Sequence, residues 1–252
     1  MPSAIVLAGG GPEPHLAPGL PNKAFLRIGG VALVEHVVAA LRSSSGIGRI
    51  VVVGPPGPLA ALLGSSTEIV PDQGSMMDNI AAGVAPLRDG ERVIAVASDL
   101  PLITPEAVER FLGLCTGDAD FYYAVVPRAA IERRFPAARK TYVKLTDGTF
   151  CGGSIVLFAP EALERIRPLV EQAIAARKKP WLLAQLFGLA TVMRFASGRL
   201  SIAELEARAH AISGLRGRAV VLDDPEMALD VDADRPENLA AIRAVLEPPT
   251  EP

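Results

Sequence analysis

A run of glycines and one lysine near the start of the chain have the residue types of a phosphate site. The apolar run of residues 4–8 breaks into Gly9, Gly10 and Gly11, and Lys23 closes the loop that follows. Glycines after a buried strand let backbone N–H groups approach an anion, and a lysine adds a point charge. The loop is therefore predicted to bind a nucleotide triphosphate. A plain glycine turn with a surface lysine is the alternative.

The glycine loop differs from two better-known phosphate-binding patterns. A P-loop ends in Gly-Lys-Ser or Gly-Lys-Thr, which the loop lacks. The dinucleotide fingerprint has a third glycine where Pro14 stands. What remains is the motif Leu7-Ala8-Gly9-Gly10 directly after a first strand, with Lys23 closing the loop.

Two carboxylates further along the chain are candidate Mg²⁺ ligands. Asp99 follows the apolar run 92–97, and Asp232 lies in an acidic stretch that begins at Asp230. Mg²⁺ prefers one or two carboxylates together with water and substrate phosphates. On a strand Asp230 and Asp232 would point the same way, and Asp234 is expected to cap the helix that follows. A solvated strand-end aspartate and an acidic turn are the alternatives.

Strand and helix patterns alternate over the first half of the chain. Short apolar runs, separated by segments of helical periodicity, occur at residues 4–8, 49–53, 68–70, 92–97 and 120–126. This alternation predicts a doubly wound, mainly parallel α/β sheet with right-handed crossovers. Ligands in such sheets bind beyond the carboxyl ends of the strands. Because the glycine loop and Asp99 both follow strands, we expect them to share one mouth.

The pattern changes in the second half of the chain. An alternating segment at 140–146, a turn at 147–148 and an apolar run at 149–158 predict an antiparallel pair added to the parallel sheet. Helices are predicted at 160–178, 181–188, 201–211 and 236–246, and strands at 219–222 and 230–232. We expect one domain over residues 1–247, with a helical elaboration at about 160–218 and a frayed tail at 248–252.

Composition and charge argue against several classes of protein. The net charge of −3 argues against a general nucleic-acid binder. The two cysteines, Cys115 and Cys151, make no disulfide framework, which favours a reducing, cytoplasmic setting. We recognise no signal peptide and no apolar stretch of the roughly 20 residues that a membrane span needs. The apolar stretch 181–189 fits an oligomer contact, a lid or plain core, so a homodimer is one expectation.

Taken as a set, the motifs resemble those of the MobA-like nucleotidyltransferases. The resemblance rests on Leu7-Ala8-Gly9-Gly10, Lys23, Ser98-Asp99-Leu100-Pro101 and the segment 230–239. That family includes the molybdenum cofactor guanylyl- and cytidylyltransferases. The resemblance implies a GT-A-like, Rossmann-like α/β domain. It also implies that the glycine loop and Lys23 hold the triphosphate and that Asp99 and Asp232 hold Mg²⁺.

Further contacts are expected for the base and for the acceptor. By resemblance, Asp72-Gln73-Gly74-Ser75 and Asn79 lie near both, although a turn with a capped helix explains them equally. Gly152-Gly153-Ser154 stands where relatives often have Gly-Asn, on a strand lining the acceptor side. Among the basic residues after 127, most of which suit a solvated face, Lys144 is the best candidate for attracting an anionic acceptor.

The reaction implied by the resemblance is transfer of a nucleoside monophosphate. The NTP, GTP or CTP, would react with a small phosphorylated acceptor such as a molybdopterin-like cofactor and release pyrophosphate, with Lys23 and Asp99 as the catalytic residues. One alternative is a GT-A glycosyltransferase, which usually has an Asp-x-Asp pair where this chain has Asp99 alone. Another is a non-catalytic nucleotide-binding module, favoured by the loop 11–20, which lacks an arginine.

Overall fold

The short Val-, Ile- and Ala-rich runs of the sequence become the strands of one central sheet. The computed structural model describes residues 1–87, 90–176 and 188–248. The strands are, in chain order, β1 Ser3–Leu7, β2 Arg27–Ile28, β3 Val31–Ala32, β4 Ile50–Val53, β5 Glu68–Val70, β6 Val93–Ala97, β7 Phe121–Pro127, β8 Val143–Leu145, β9 Gly148–Phe158 and β10 Gly217–Val221. β2 and β3 form a separate hairpin, and the other eight make the central sheet.

Nine α-helices are found in the described residues. They are α1 Leu33–Ser43, α2 Pro56–Leu63, α3 Met76–Val84, α4 Pro105–Leu114, α5 Arg128–Arg134, α6 Leu163–Ala176, α7 Leu189–Ala196, α8 Ile202–Ser213 and α9 Pro236–Leu246. The Thr104 side chain caps α4, since its hydroxyl accepts from the Ala107 N–H at 3.2 Å. Short 3-10 helices span Lys23–Phe25, Pro160–Ala162 and Pro225–Met227. Within these ranges no helix is both long and apolar enough to cross a membrane.

The sheet is mainly parallel, as the alternation predicted. Its order is β10-β7-β9-β6-β1-β4-β5, and β8 pairs with β9. β5, β4, β1 and β6 run parallel, as do β7 and β10. The predicted antiparallel pair is present, but β9 lies inside the sheet, antiparallel to β6 on one side and to β7 on the other. Its apolar side chains are therefore part of the core.

Helices cover both faces of the sheet because successive strand residues point to opposite sides. Val6 of β1 belongs to the core cluster that includes Val37 of α1 and Phe111 of α4. Its neighbour Ile5 belongs to the opposite cluster, with Ile80 of α3 and Leu163 of α6. The carboxyl ends of β1 and β6 are left between these two layers.

Several predicted elements differ from the structure. The segment 230–232 is not a strand, because the Val231 N–H donates to the Asp99 carbonyl oxygen at 3.0 Å and joins no ladder. Asp234 does not cap α9: Arg235 occupies the cap position, without a side-chain cap bond. The hairpin β2–β3 and the helices α5 and α7 were not predicted.

Part of the predicted helical elaboration lies outside the described residues. The segment 160–178 begins as a 3-10 turn, and α6 is described as far as Ala176. The predicted helix 181–188 and the apolar stretch 181–189 fall mostly on residues 177–187, and the tail falls mostly on 249–252, neither of which is described. Of the remainder, 201–211 is confirmed as α8.

Candidate functional site

The glycine loop and Asp99 emerge side by side from the sheet. β1 and β6 are paired in parallel, and their last residues, Leu7 and Ala97, are register partners. The pairing extends one residue further, because the Ser98 N–H donates to the Leu7 carbonyl oxygen at 3.2 Å. The glycine loop and Asp99, which the sequence marks as two separate candidate sites, therefore meet at one edge of the sheet.

Lys23 reaches Asp99 and forms the central ion pair of this edge. Its Nζ lies 2.7 Å from Asp99 Oδ2 and donates to the Val231 carbonyl oxygen at 3.2 Å. Burial opposes the charge on Lys23, but Asp99, together with Glu13 and Asp230, raises the pKa of the lysine above its ordinary value. The structure thus pairs Lys23 directly with the strand-end carboxylate.

Asn22 fixes the loop that carries Lys23, and the sequence did not single it out. Its buried side chain caps the 3-10 helix Lys23–Phe25, since Oδ1 accepts from the Ala24 N–H at 2.9 Å. Its Nδ2 donates to the carbonyl oxygens of Ala8, at 2.9 Å, and Gly10, at 3.3 Å. An asparagine directly before a short helix was the available signal.

Asp99 is a nearly buried carboxylate with one oxygen unused. Only 8% of the residue is exposed. Burial raises the pKa of Asp99 above its ordinary value, with the Lys23 ammonium acting against the shift. Oδ2 faces Lys23, whereas Oδ1 is buried without a hydrogen-bond partner among the described residues. A buried carboxylate oxygen without a donor is costly unless a cation or a ligand satisfies it.

Asp232 follows the segment that contacts Asp99. Val231, its predecessor, is bonded to Asp99 through its N–H and to Lys23 through its carbonyl oxygen. Asp232 Oδ1 accepts from the Asp234 N–H at 3.0 Å, and Oδ2 lies 3.5 Å from Arg235 Nη1. The carboxylate is therefore held by a local turn, one residue after Val231, whose backbone contacts the Lys23–Asp99 pair.

A second ion pair anchors the same segment and was missed by sequence reasoning. Lys140 Nζ lies 2.6 Å from Asp230 Oδ1, and only 6% of the lysine side chain is exposed. Arg235 Nη1 is 4.0 Å from the same Asp230 oxygen, and Arg235 Nη2 donates to the Thr141 hydroxyl at 3.1 Å. Lys140 and Asp230 are 90 residues apart in sequence, and no local pattern connects them.

Asp72 and Asn79 hold the glycine loop from the other side. Asp72 accepts from the Gly10 N–H at 2.7 Å, from the Gly74 N–H at 2.8 Å and from Asn79 Nδ2 at 2.9 Å. These three donors, the Gly10 N–H foremost, lower the pKa of Asp72. One amide expected to face phosphate is therefore bonded to Asp72. The expected contacts of Asp72 and Asn79 with a base stay predictions.

Gly9 and Gly10 are required by the geometry of this loop. A Cβ at Gly9 would lie 2.7 Å from both Asn79 Nδ2 and Asp72 Cγ, which no real side chain tolerates. Gly10 has φ +109°, a region that side-chain-bearing residues rarely enter. The glycines thus allow Asp72 and Asn79 to approach the backbone closely.

The expected acceptor residues lie on β8 and β9. A Cβ at Gly153 would approach Ala124 Cβ at 2.9 Å, and one at Gly152 would clash with the Tyr123 hydroxyl. Ser154 is half-buried on the same strand. Lys144 is exposed on β8, and its Cδ would lie 3.1 Å from a Cβ placed at Gly198, which follows α7.

The donor set at this edge suits a hard divalent cation that also binds phosphate. Asp99 offers an unpartnered carboxylate oxygen, and Lys23 Nζ already sits as a cation on the other. Within the described ranges, no group of three or more His, Cys, Asp or Glu side chains is arranged to hold a metal. Since Mg²⁺ takes one or two carboxylates and completes its shell with water and phosphate, the residues present fit it.

Solved structures with the same fold include known nucleotidyltransferases. A hypothetical transferase from Thermus thermophilus is 37% identical, with a TM-score of 0.82 over 92% of this chain and 96% of that one. A nucleotidyl transferase from Methanothermobacter is 18% identical, with a TM-score of 0.58 over 98% and 97%. A CMP-2-keto-3-deoxy-manno-octonic acid synthetase, complexed with CTP, is 15% identical, with a TM-score of 0.59 over 97% of each chain.

A family model covers the part of the chain that carries the glycine loop, Lys23 and Asp99. The matching model describes the MobA-like NTP transferase domain and extends over residues 4–187. It includes the strands β1, β6 and β9 that build the edge described above. With this match over most of its length, the chain belongs to the MobA-like NTP transferase family and is a nucleotidyltransferase.

Proposed function

We propose that the protein is a Mg²⁺-dependent enzyme that moves a nucleoside monophosphate from GTP or CTP to a small phosphorylated acceptor. A phosphate oxygen of the acceptor attacks the α-phosphorus in line, the bond between the α- and β-phosphates breaks, and pyrophosphate leaves. A molybdopterin-like cofactor is one such acceptor. The observation that supports this most strongly is the Lys23–Asp99 pair, 2.7 Å apart, beside the glycine loop at one sheet edge.

Asp99 and Asp232 are proposed to hold the metal. The unpartnered Oδ1 of Asp99 and the neighbouring Asp232, on the segment bonded to Asp99, support this assignment. Held there, Mg²⁺ would supply positive charge against the phosphates during transfer. Asp230, in contrast, is proposed to position that segment, because its carboxylate already faces Lys140.

Lys23 and the loop Leu7-Ala8-Gly9-Gly10-Gly11 are proposed to bind the triphosphate. Lys23 Nζ lies against Asp99 at the end of the glycine loop, where its charge could also bind a phosphate oxygen. Asp72 and Asn79 hold Gly10 in position and are proposed to face the base side of the nucleotide. Phosphoryl transfer depends on this kind of positioning more than on an acid–base pair.

Lys144, Gly152, Gly153 and Ser154 are proposed to line the acceptor side. Lys144 is exposed on β8 and provides a positive charge for an anionic acceptor. Replacing it with methionine is expected to raise the KM for the acceptor while leaving the affinity for NTP unchanged.

Thermal stabilisation by each of the four NTPs, with and without Mg²⁺, tests the nucleotide half of the proposal. GTP or CTP should raise the unfolding temperature most, and only with Mg²⁺, because a ligand stabilises the state that it binds. Pyrophosphate release with candidate phosphorylated acceptors then tests the transfer. Stabilisation by an NTP without pyrophosphate from any acceptor would favour a nucleotide-binding module instead, and release of a sugar from a nucleotide sugar would favour a glycosyltransferase.

A further inference from the structure

A cavity of about 450 Å³ lies between the central sheet and the helices α3 and α6. The sheet side is formed by β1, β6, β7 and β9, and the helix side includes Ile80 of α3 and Ile166 of α6. Among the lining side chains in the described part of the chain, only those of Tyr123 and Ser154 carry a polar group. The size and the apolar lining with a few polar groups are those of a small-molecule site.

The cavity reaches the edge of the sheet that carries the ion pair. Leu7 and Ala97 line it, and they are the paired last residues of β1 and β6. The next residues along the two chain segments lead directly into the glycine loop and to Asp99. Gly153 and Ser154, on the proposed acceptor side, line the same cavity. The cavity therefore ends within two residues along the chain of the glycine loop and of Asp99.

Two large apolar side chains at this cavity are open to solvent. Met76 at the start of α3 is 47% exposed, and Tyr123 of β7 is 42% exposed. The Tyr123 hydroxyl occupies the space beside Gly152 where any Cβ would clash with it. A glycine at 152 thus allows the tyrosine to adopt this position, with its ring forming part of the cavity wall. A tyrosine ring offers a wide apolar surface with a polar tip, which suits contact with a flat ligand.

We propose that this cavity binds the body of the acceptor and that the acceptor is a phosphate-bearing molecule with an aromatic or aliphatic body. This inference rests on the proposed function, because it takes the acceptor phosphate to lie beside the triphosphate that Lys23 and the glycine loop are proposed to hold. A sugar phosphate would place hydroxyl groups against walls whose described side chains offer two hydroxyls, and unsatisfied polar groups are costly to bury. An apolar body gains from the same burial.

Binding of two simple phosphates to the full chain tests the inference. 1-Naphthyl phosphate and glycerol phosphate carry the same headgroup and differ in their bodies, and their Kd values with Mg²⁺ are measured by calorimetry. We expect 1-naphthyl phosphate to bind at least about tenfold more tightly, because burying its rings removes apolar surface from water. Tyr123→Ser and Ile166→Ser should each weaken that binding about fivefold or more. The control Leu114→Ser alters an exposed leucine outside the cavity lining and should leave it unchanged.

Three outcomes would overturn the inference. Equal Kd values for the two phosphates would show that the body is not bound in an apolar cavity. Displacement of 1-naphthyl phosphate by NTP in direct competition would place the nucleotide, not the acceptor, there. The third outcome is that no NTP stabilises the protein in a measurement made without either phosphate probe. That result would show that the proposed function itself has failed, and the cavity would then have no role as an acceptor site.

Discussion

The Lys140–Asp230 pair shows how a single buried contact can hold the segment that carries Asp232. Lys140 is almost fully buried, whereas its neighbour Arg139 is 75% exposed and pairs with Glu237 at 3.1 Å. Lys140→Met should lower the free energy of unfolding by about 2–3 kcal/mol, because it leaves the Asp230 carboxylate without its nearest cation. Arg139→Met should change that free energy by less than about 0.5 kcal/mol. Urea unfolding of the two variants measures both values.

The kcat values of the same two variants distinguish a role of Lys140 in positioning the segment from a role in stability alone. If Lys140 positions the segment, Lys140→Met lowers kcat about tenfold or more at a temperature where the variant is fully folded, while the affinity for NTP is little changed. Wild-type kcat and wild-type stability in Lys140→Met would show that the pair is incidental.

The two cysteine thiols are predicted to be chemically quiet. Burial raises the pKa of Cys115 to about 12, and burial likewise raises the pKa of Cys151 above its ordinary value. Because the thiolate is the reactive form, iodoacetamide at pH 8 should alkylate Cys115 roughly a thousandfold more slowly in the folded protein than in denaturant. Cys151 should also react more slowly in the folded protein. Mass spectrometry over time provides the rates. Rapid alkylation of Cys151 in the folded state would identify it as an accessible, reactive thiol.

Single residues were predictable where a local pattern marks them. Lys23 stands out because it closes a glycine-rich loop, and Asp99 because it follows an apolar strand. The structure pairs the two side chains. Lys140 gives no such signal, since its partner lies 90 residues away and the contact depends on tertiary folding. The contacts of Asp72 with the Gly10 and Gly74 amides were likewise invisible in sequence.

At the scale of elements, the glycine loop offers a matched pair of substitutions. A Cβ at Gly9 would overlap Asp72 and Asn79, whereas one at Gly11 has nothing within 4 Å. Gly9→Ala should lower the free energy of unfolding by about 1–3 kcal/mol. It should also weaken NTP binding, because the side chains that fix the loop must move. Gly11→Ala should leave the free energy of unfolding nearly unchanged. Calorimetric unfolding and NTP titration compare the two variants. Equal stabilities and equal NTP affinities would mean that Asp72 and Asn79 can move aside without loss.

Most strands were predictable because buried parallel strands are short, continuous apolar runs. The segment 230–232 was wrongly predicted as a strand, since Asp230-Val231-Asp232 alternates with the period of two that strands share. In the structure the Val231 N–H donates to the Asp99 carbonyl oxygen, and the Val231 carbonyl oxygen accepts from Lys23 Nζ, so the segment joins no strand ladder. A period of two over three residues does not distinguish an edge strand from an extended loop with a fixed partner.

At the scale of the whole molecule, the sequence predicted the class of sheet but not the place of β9. An antiparallel hairpin is readable from the turn at 147–148, but its insertion between β6 and β7 depends on contacts with both strands. Those contacts join segments that are far apart in sequence. Since β9 carries Gly153 and Ser154, the shape of the proposed acceptor side could not be predicted from local sequence patterns.

The stability of the molecule should depend on the layer that packs α1 and α4 against the sheet. Phe111 of α4 is fully buried in that layer, whereas Leu114 on the same helix is 53% exposed. Phe111→Ala should lower the free energy of unfolding by about 3–5 kcal/mol. Leu114→Ala should lower it by less than about 1 kcal/mol, because most of its surface is already in water. Similar losses in the two variants, measured by urea unfolding, would argue against this core.

The central claim is that Asp99, paired with Lys23, works as a metal-holding carboxylate in nucleotidyl transfer. Asp99→Asn keeps the size of the side chain and removes its charge. Asp234→Asn is the matched control, because Asp234 is exposed and contacts Asp232 through its backbone N–H alone.

Pyrophosphate release from NTP and acceptor in the presence of Mg²⁺ tests this claim most directly. The expected result is release by the wild type and by Asp234→Asn, with Asp99→Asn slower by at least about a hundredfold although its circular dichroism spectrum is unchanged. Release by Asp99→Asn at the wild-type rate would contradict the claim.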